Sequence, residues 1–114
     1  MENVREHERF YLSYYLKVID RQNNQNIGHC ANVSDNGMLL ISEESIKIKT
    51  IYRLKMFLPE EIQGSRYFEF IAVSKWCQTD ENPDFYITGF KLQNVSEEGI
   101  QVIKRLIDKF SLDE

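Results

Sequence analysis

A chain of 114 residues that is 42% hydrophobic can pack one domain and is too short for two ordinary ones. Its net charge of −4 and pI near 5.2 disfavour nonspecific binding to nucleic acid or anionic lipid, which needs a basic face. No run approaches the roughly 18 apolar residues that span a bilayer, and the charged N-terminus has no apolar signal-like core, so the expected location is the cytoplasm, with no membrane insertion.

Residues 1–9 are charged, lack an apolar period and read as a flexible arm. Residues 10–19 are rich in aromatic and β-branched side chains, with Leu12, Tyr14, Leu16 and Val18 on one face, which predicts a strand. The polar run 20–26 turns the chain, and residues 27–33 return as the second arm of a hairpin. A third strand covers 38–42. Residues 48–58, with Ile48, Leu54, Met56 and Leu58 apolar, form a fourth that Pro59 closes.

A turn at 63–65 leads to a fifth strand at 67–76, and the 78–84 loop to a sixth at 85–92. Short strands at near-regular spacing indicate an antiparallel barrel or sandwich. In residues 97–110, Ile100, Ile103, Ile107 and Phe110 recur at helical spacing opposite Gln101, Lys104, Arg105 and Asp108, which predicts an amphipathic helix packed on that sheet. The expected organisation is an arm at 1–9 followed by a mainly β domain at 10–114. Cys30 and Cys77 fall in strand-like runs, where a lone thiol serves as a small hydrophobe.

Two motifs stand apart from this scaffold. Arg5 and Arg9 place two guanidiniums four residues apart in the arm, and Asn32-Val33-Ser34-Asp35-Asn36-Gly37 forms a polar turn between two strands. Side chains two apart in extended chain share a face, so Asn32 and Ser34 should be neighbours. Gly37 allows positive φ or the close approach of another group. The same short pattern recurs at Asn94-Val95-Ser96-Glu97-Glu98-Gly99. There it has a local explanation as a helix cap, with Ser96 or Asn94 accepting from free amides and Glu97 and Glu98 complementing the dipole.

Together R-x-x-x-R and the first [DN]-x-S-x-x-G resemble the motifs of the PilZ domain family, bacterial receptors for cyclic diguanylate (c-di-GMP). Trp76 and Ile87-Thr88-Gly89-Phe90 extend the likeness along the chain. The resemblance implies a six-stranded antiparallel β-barrel with a C-terminal helix, a binding function rather than an enzyme, no metal and no cofactor. It carries the ligand contacts onto Arg5, Arg9, Asn32, Ser34 and Gly37.

The chemistry suits the ligand. Guanidinium forks bind phosphate or the guanine O6/N7 edge and stack on purines, while Asn32 and Ser34 can hydrogen-bond a guanine edge. Asn32 stands where many family members have aspartate and offers one acceptor oxygen instead of two. Val4 precedes the first motif arginine where an arginine goes with a stacked ligand pair, which implies a single bound molecule. Such a receptor acts through a downstream protein partner.

Two rival readings remain: a PilZ-like protein-interaction module that no longer binds nucleotide, and an OB-like barrel that stacks nucleic-acid bases on Phe10, Tyr11, Tyr14 and Tyr15. A metal or thiol enzyme is disfavoured, because His29 and Cys30 are adjacent and would face opposite sides of a strand.

Overall fold

Leu12, Leu16 and Val18 are buried while Tyr11, Tyr15 and Lys17 are exposed, so the alternation in the first strand sorts its side chains as a half-buried sheet requires. In the computed structural model, which describes residues 10–34, 36–60, 62, 64 and 66–112, six strands precede one helix. They are β1 (Phe10–Asp20), β2 (Gln25–Val33), β3 (Gly37–Ser42), β4 (Ile51–Phe57), β5 (Tyr67–Thr79) and β6 (Tyr86–Gln93), followed by α1 (Glu97–Phe110). Every pairing is antiparallel, and the barrel closes in the order β1-β2-β3-β6-β5-β4. The six-stranded antiparallel barrel with a C-terminal helix is thus the fold of this chain. Arg5 and Arg9, and the arm expected at 1–9, lie outside the described residues.

One continuous core fills the barrel, with Met38, Leu40, Leu54 and Met56 almost or wholly inaccessible. The β1–β2 hairpin turns where Asn24 takes φ 62°, with the Asn24 amide donating to the Asp20 carbonyl at 2.7 Å; asparagine tolerates this left-handed backbone. The fourth strand starts at Ile51 rather than at residue 48. Ser74 of β5 accounts for the difference: it donates to the Lys47 carbonyl at 2.7 Å, accepts from the Thr50 amide at 3.2 Å, and its own carbonyl accepts from Lys49 at 2.7 Å. Those bonds wrap residues 47–50 around Ser74, leaving Ile48 outside the core and 41% exposed. At the other end β5 runs to Thr79, because Gln78 and Thr79 pair with Ile87 and Tyr86 in a polar hairpin.

Helix α1 begins at Ser96, whose hydroxyl accepts from the Gly99 amide at 3.0 Å with Glu97 and Glu98 in the first turn. Its buried face is Gly99, Val102, Ile103 and Leu106, with Ile107 and Phe110 packed at its margin. That centre is rotated from the expected Ile100–Ile103–Ile107–Phe110 stripe because Gly99 must face the barrel. A Cβ there would stand 2.8 Å from the Phe68 ring, so glycine lets the helix seat closely. The helix packs on β1 and β5, and beyond it the Leu112 amide donates to the Tyr11 carbonyl at 2.8 Å.

Cys30 is fully buried, and burial pushes its thiol up to about 12; Cys77 is half-buried. In the native protein a thiol reagent should modify Cys77 and spare Cys30. A folded pKa above the unfolded value means that the unfolded chain releases its proton first. Cys30 therefore contributes fully to stability below pH 9 and loses that contribution between pH 9 and about 12. Denaturant titrations across this window test it: Cys30→Ala should flatten the alkaline decline.

Candidate functional site

The turn between β2 and β3 is held by its own polar groups. The Ser34 amide donates to the Gly37 carbonyl at 2.9 Å, and the Leu92 amide of β6 donates to the Asn36 carbonyl at 2.7 Å. The Ser34 hydroxyl accepts from the Asn36 amide at 3.4 Å and lies 3.3 Å from Asn36 Oδ1 and 3.5 Å from the Gly37 carbonyl. All three are long, since the usual separation is about 2.9–3.0 Å for an N–H donor and about 2.7–2.8 Å for an O–H donor, so the hydroxyl has more to gain from a better partner. Gly37 is required for close approach and not for positive φ. Its Cβ would lie 2.9 Å from the Phe90 carbonyl, and its φ is not among the positive ones.

Asn32, expected within the second strand and at the start of the polar turn, is closed off from solvent. It belongs to β2, is fully buried, and neither its amide nitrogen nor its oxygen has a hydrogen-bond partner among the described residues. Its face follows from register. Asn32 pairs with Tyr11 of β1 and Leu39 of β3, Leu39 pairs with Gly89 of β6, and Gly89 pairs with Trp76 of β5. Residues directly opposite in antiparallel strands share a face. Met38 and Leu40 point into the core, so Leu39 and this whole row lie on the outer face. A buried amide without partners costs about 1–3 kcal/mol.

At the far end of the row, Trp76 lies against Gly89: a Cβ on Gly89 would fall 2.4 Å from the indole. A β-bulge between Ser74 and Trp76 leaves Lys75 exposed beside it. Ser34, Asn36, Gly37, Lys75, Trp76, Gly89, Phe90 and Lys91 enclose a cleft of about 210 Å³. It is an aromatic wall and a polar turn flanked by two lysines, in a chain of net negative charge.

Of the expected site residues, Ser34 and Gly37 line this cleft, Asn32 shares its row without lining it, and Arg5 and Arg9 lie outside the described residues. Lys75, Lys91 and Asn36 were not singled out by sequence. The signal available was their adjacency to Trp76, Phe90 and Gly37. Among the described residues no three His, Cys, Asp or Glu side chains gather to hold a metal, and no helix is long and apolar enough to cross a membrane.

The two motif serines should separate binding from folding. Ser96→Ala, which removes the α1 cap, should cost about 1 kcal/mol of stability and leave ligand affinity unchanged. Ser34→Ala removes only long hydrogen bonds, so it should alter the denaturation midpoint less and weaken ligand binding more. Chemical denaturation and calorimetry on both variants check this.

Comparisons with known proteins fit the architecture. The family model for the PilZ domain matches residues 3–109. Among solved structures, the chain resembles the Bacillus subtilis inhibitor of motility (MotI/DgrA), with TM-score 0.73 and 19% identity over 96% of this chain and 51% of that one. It also resembles the PilZ domain of Escherichia coli YcgR with c-di-GMP, with TM-score 0.70 and 15% identity over 91% of this chain and 88% of that one. The K. pneumonia MrkH–c-di-GMP complex gives TM-score 0.70 and 14% identity over 92% of this chain and 51% of that one. The chain thus spans about half the length of the MotI and MrkH chains. A comparison with curated protein sequences gave no match.

Proposed function

Because this chain belongs to the PilZ domain family, we propose that it is a receptor for c-di-GMP that signals through a protein partner and catalyses no reaction. The observation that carries the proposal is Asn32: a motif amide, fully buried, on the outer face, with both polar atoms unpartnered among the described residues. Such groups are rare in folded proteins, and a guanine edge offers the donor and acceptor this one lacks. The Escherichia coli YcgR PilZ domain with c-di-GMP and the MrkH–c-di-GMP complex have the same fold.

The cleft of about 210 Å³ is smaller than the roughly 300–1,000 Å³ of pockets that engulf a whole ligand, so it takes one end of the dinucleotide. A guanine enters against Trp76, the Ser34 hydroxyl exchanges its long bonds for a shorter one to the base, and Lys75 and Lys91 face a phosphodiester. Gly37 keeps the turn close to β6 so that nothing blocks the entrance. Arg5 and Arg9 fork the phosphates or stack on the second guanine. Because Asn32 is covered in the free chain, a base reaches it only when the covering groups shift, and that shift alters the surface a partner meets.

Calorimetric titration of the wild-type chain with c-di-GMP tests the reading. Four or five charge-assisted contacts at roughly 1.5–3 kcal/mol each, after association costs, give a Kd of about 1 μM or tighter, with one ligand per chain and little heat from GMP. Absence of saturable binding rejects it.

A further inference from the structure

The outer face of β1, β4 and β5 differs in charge from the chain as a whole. Phe57 pairs with Tyr67, Lys55 with Glu69, Arg53 with Ile71 and Ile51 with Val73; Lys55 also pairs with Ile19, and the Arg21 amide donates to the Arg53 carbonyl. Leu54 and Met56 point inward, so the alternate residues 51, 53, 55 and 57 share the outside with their partners. Among the described residues the face carries Lys17, Arg21, Arg53 and Lys55 against one carboxylate, Glu69, in a protein whose net charge is −4. Glu69 lies 3.6 Å from the Arg21 guanidinium.

Large apolar side chains sit among these cations. Ile51 is 65% exposed, and Tyr67, Phe57 and Ile71 are each more than a third exposed. The lysines are not splayed into solvent: the Lys55 ammonium lies 4.4 Å from the Tyr67 ring centroid and 5.9 Å from that of Phe57, and Lys17 lies 5.6 Å from Phe57. Cations held over rings have already lost rotamer freedom, which lowers the ordering cost of binding.

We propose that this face docks an acidic, amphipathic segment of a partner protein, carboxylates meeting Lys17, Arg53 and Lys55 and an apolar ridge covering Ile51 and Ile71. A nucleic acid or anionic membrane fits less well, since phosphates leave the isoleucines uncovered and a long polyanion also meets the negative field of the rest of the chain. Three strands about 4.8 Å apart and four alternate positions about 6.8 Å apart make a patch of roughly 10 by 20 Å. That is a fraction of the ~800 Å² per partner of a standard interface, which suits a transient contact. None of these residues lines the cleft at Trp76, so the contact does not depend on c-di-GMP.

The test uses the nucleotide-free chain and a short synthetic helical peptide with leucines along one face flanked by glutamates. The expected result is salt-sensitive binding in the micromolar range, with amide NMR shifts confined to outer-face residues of β1, β4 and β5. Lys17→Glu with Arg53→Glu should weaken it tenfold or more. Ile51→Thr with Ile71→Thr, which keeps β-branching, should weaken it severalfold. A peptide with lysines in place of the glutamates should not bind. No binding, shifts elsewhere, indifference to charge reversal, or tighter binding to duplex DNA or phosphatidylglycerol vesicles would each overturn the proposal.

Discussion

Replacing Arg5 and Arg9 together by alanine should weaken c-di-GMP binding by roughly a hundredfold or more, with each single substitution weakening it about tenfold or more, because each lost charge-assisted contact is worth about 1.5–3 kcal/mol. The melting temperature should stay within a degree or two of wild type. The core of the described residues runs from Leu12 to Phe110, and the sequence of residues 1–9 has no apolar period to extend it. Calorimetry and thermal unfolding on the same samples separate the two effects. If the double variant binds as wild type does, the arginine assignment is wrong.

Gly89→Ala should displace the indole of Trp76 and reduce affinity by about tenfold. The added Cβ would fall 2.4 Å from indole atoms, closer than real contacts allow, and the atoms it meets belong to a side chain that can swing away more cheaply than backbone can. The stability cost should therefore be at the low end of the roughly 1–3 kcal/mol typical of overpacking. Trp76 is the only tryptophan of the chain, so intrinsic fluorescence reports the displacement directly. Emission from the free variant should shift to the red as the ring enters water. In the wild type, c-di-GMP should change that emission as a base stacks beside the ring. Unchanged emission in both experiments would remove Trp76 from the site.

The barrel was readable in the sequence because its signals are local. Alternation in β1, the polar hairpin after Asp20, Pro59 after β4 and the Ser96 cap each act within a few residues, and the structure bears them out. Where sequence and structure differ, a distant residue decides. The start of β4 depends on Ser74, 27 positions from the Lys47 carbonyl it binds, and the buried face of α1 depends on the Phe68 ring that Gly99 accommodates.

The candidate site divides the same way. Ser34 and Gly37, singled out by the turn motif and the family resemblance, line the cleft. The position of Asn32 in the row running to Trp76 follows from pairings among five strands and their bulges, which no local pattern encodes. Lys75 and Lys91 join the cleft for that reason as well.

Amide hydrogen exchange with and without c-di-GMP tests most directly whether arginine arm and outer-face row form one nucleotide site. On adding ligand, protection should rise strongly at residues 4–10 and at 32–37, and also at 75–76 and 89–91, while the inward-facing centres of β4 and β5 change little. Protection gained instead around the separate groove bordered by Tyr15, His29, Glu43, Glu44, Tyr52 and Asp80, or no change at residues 4–10, would contradict it.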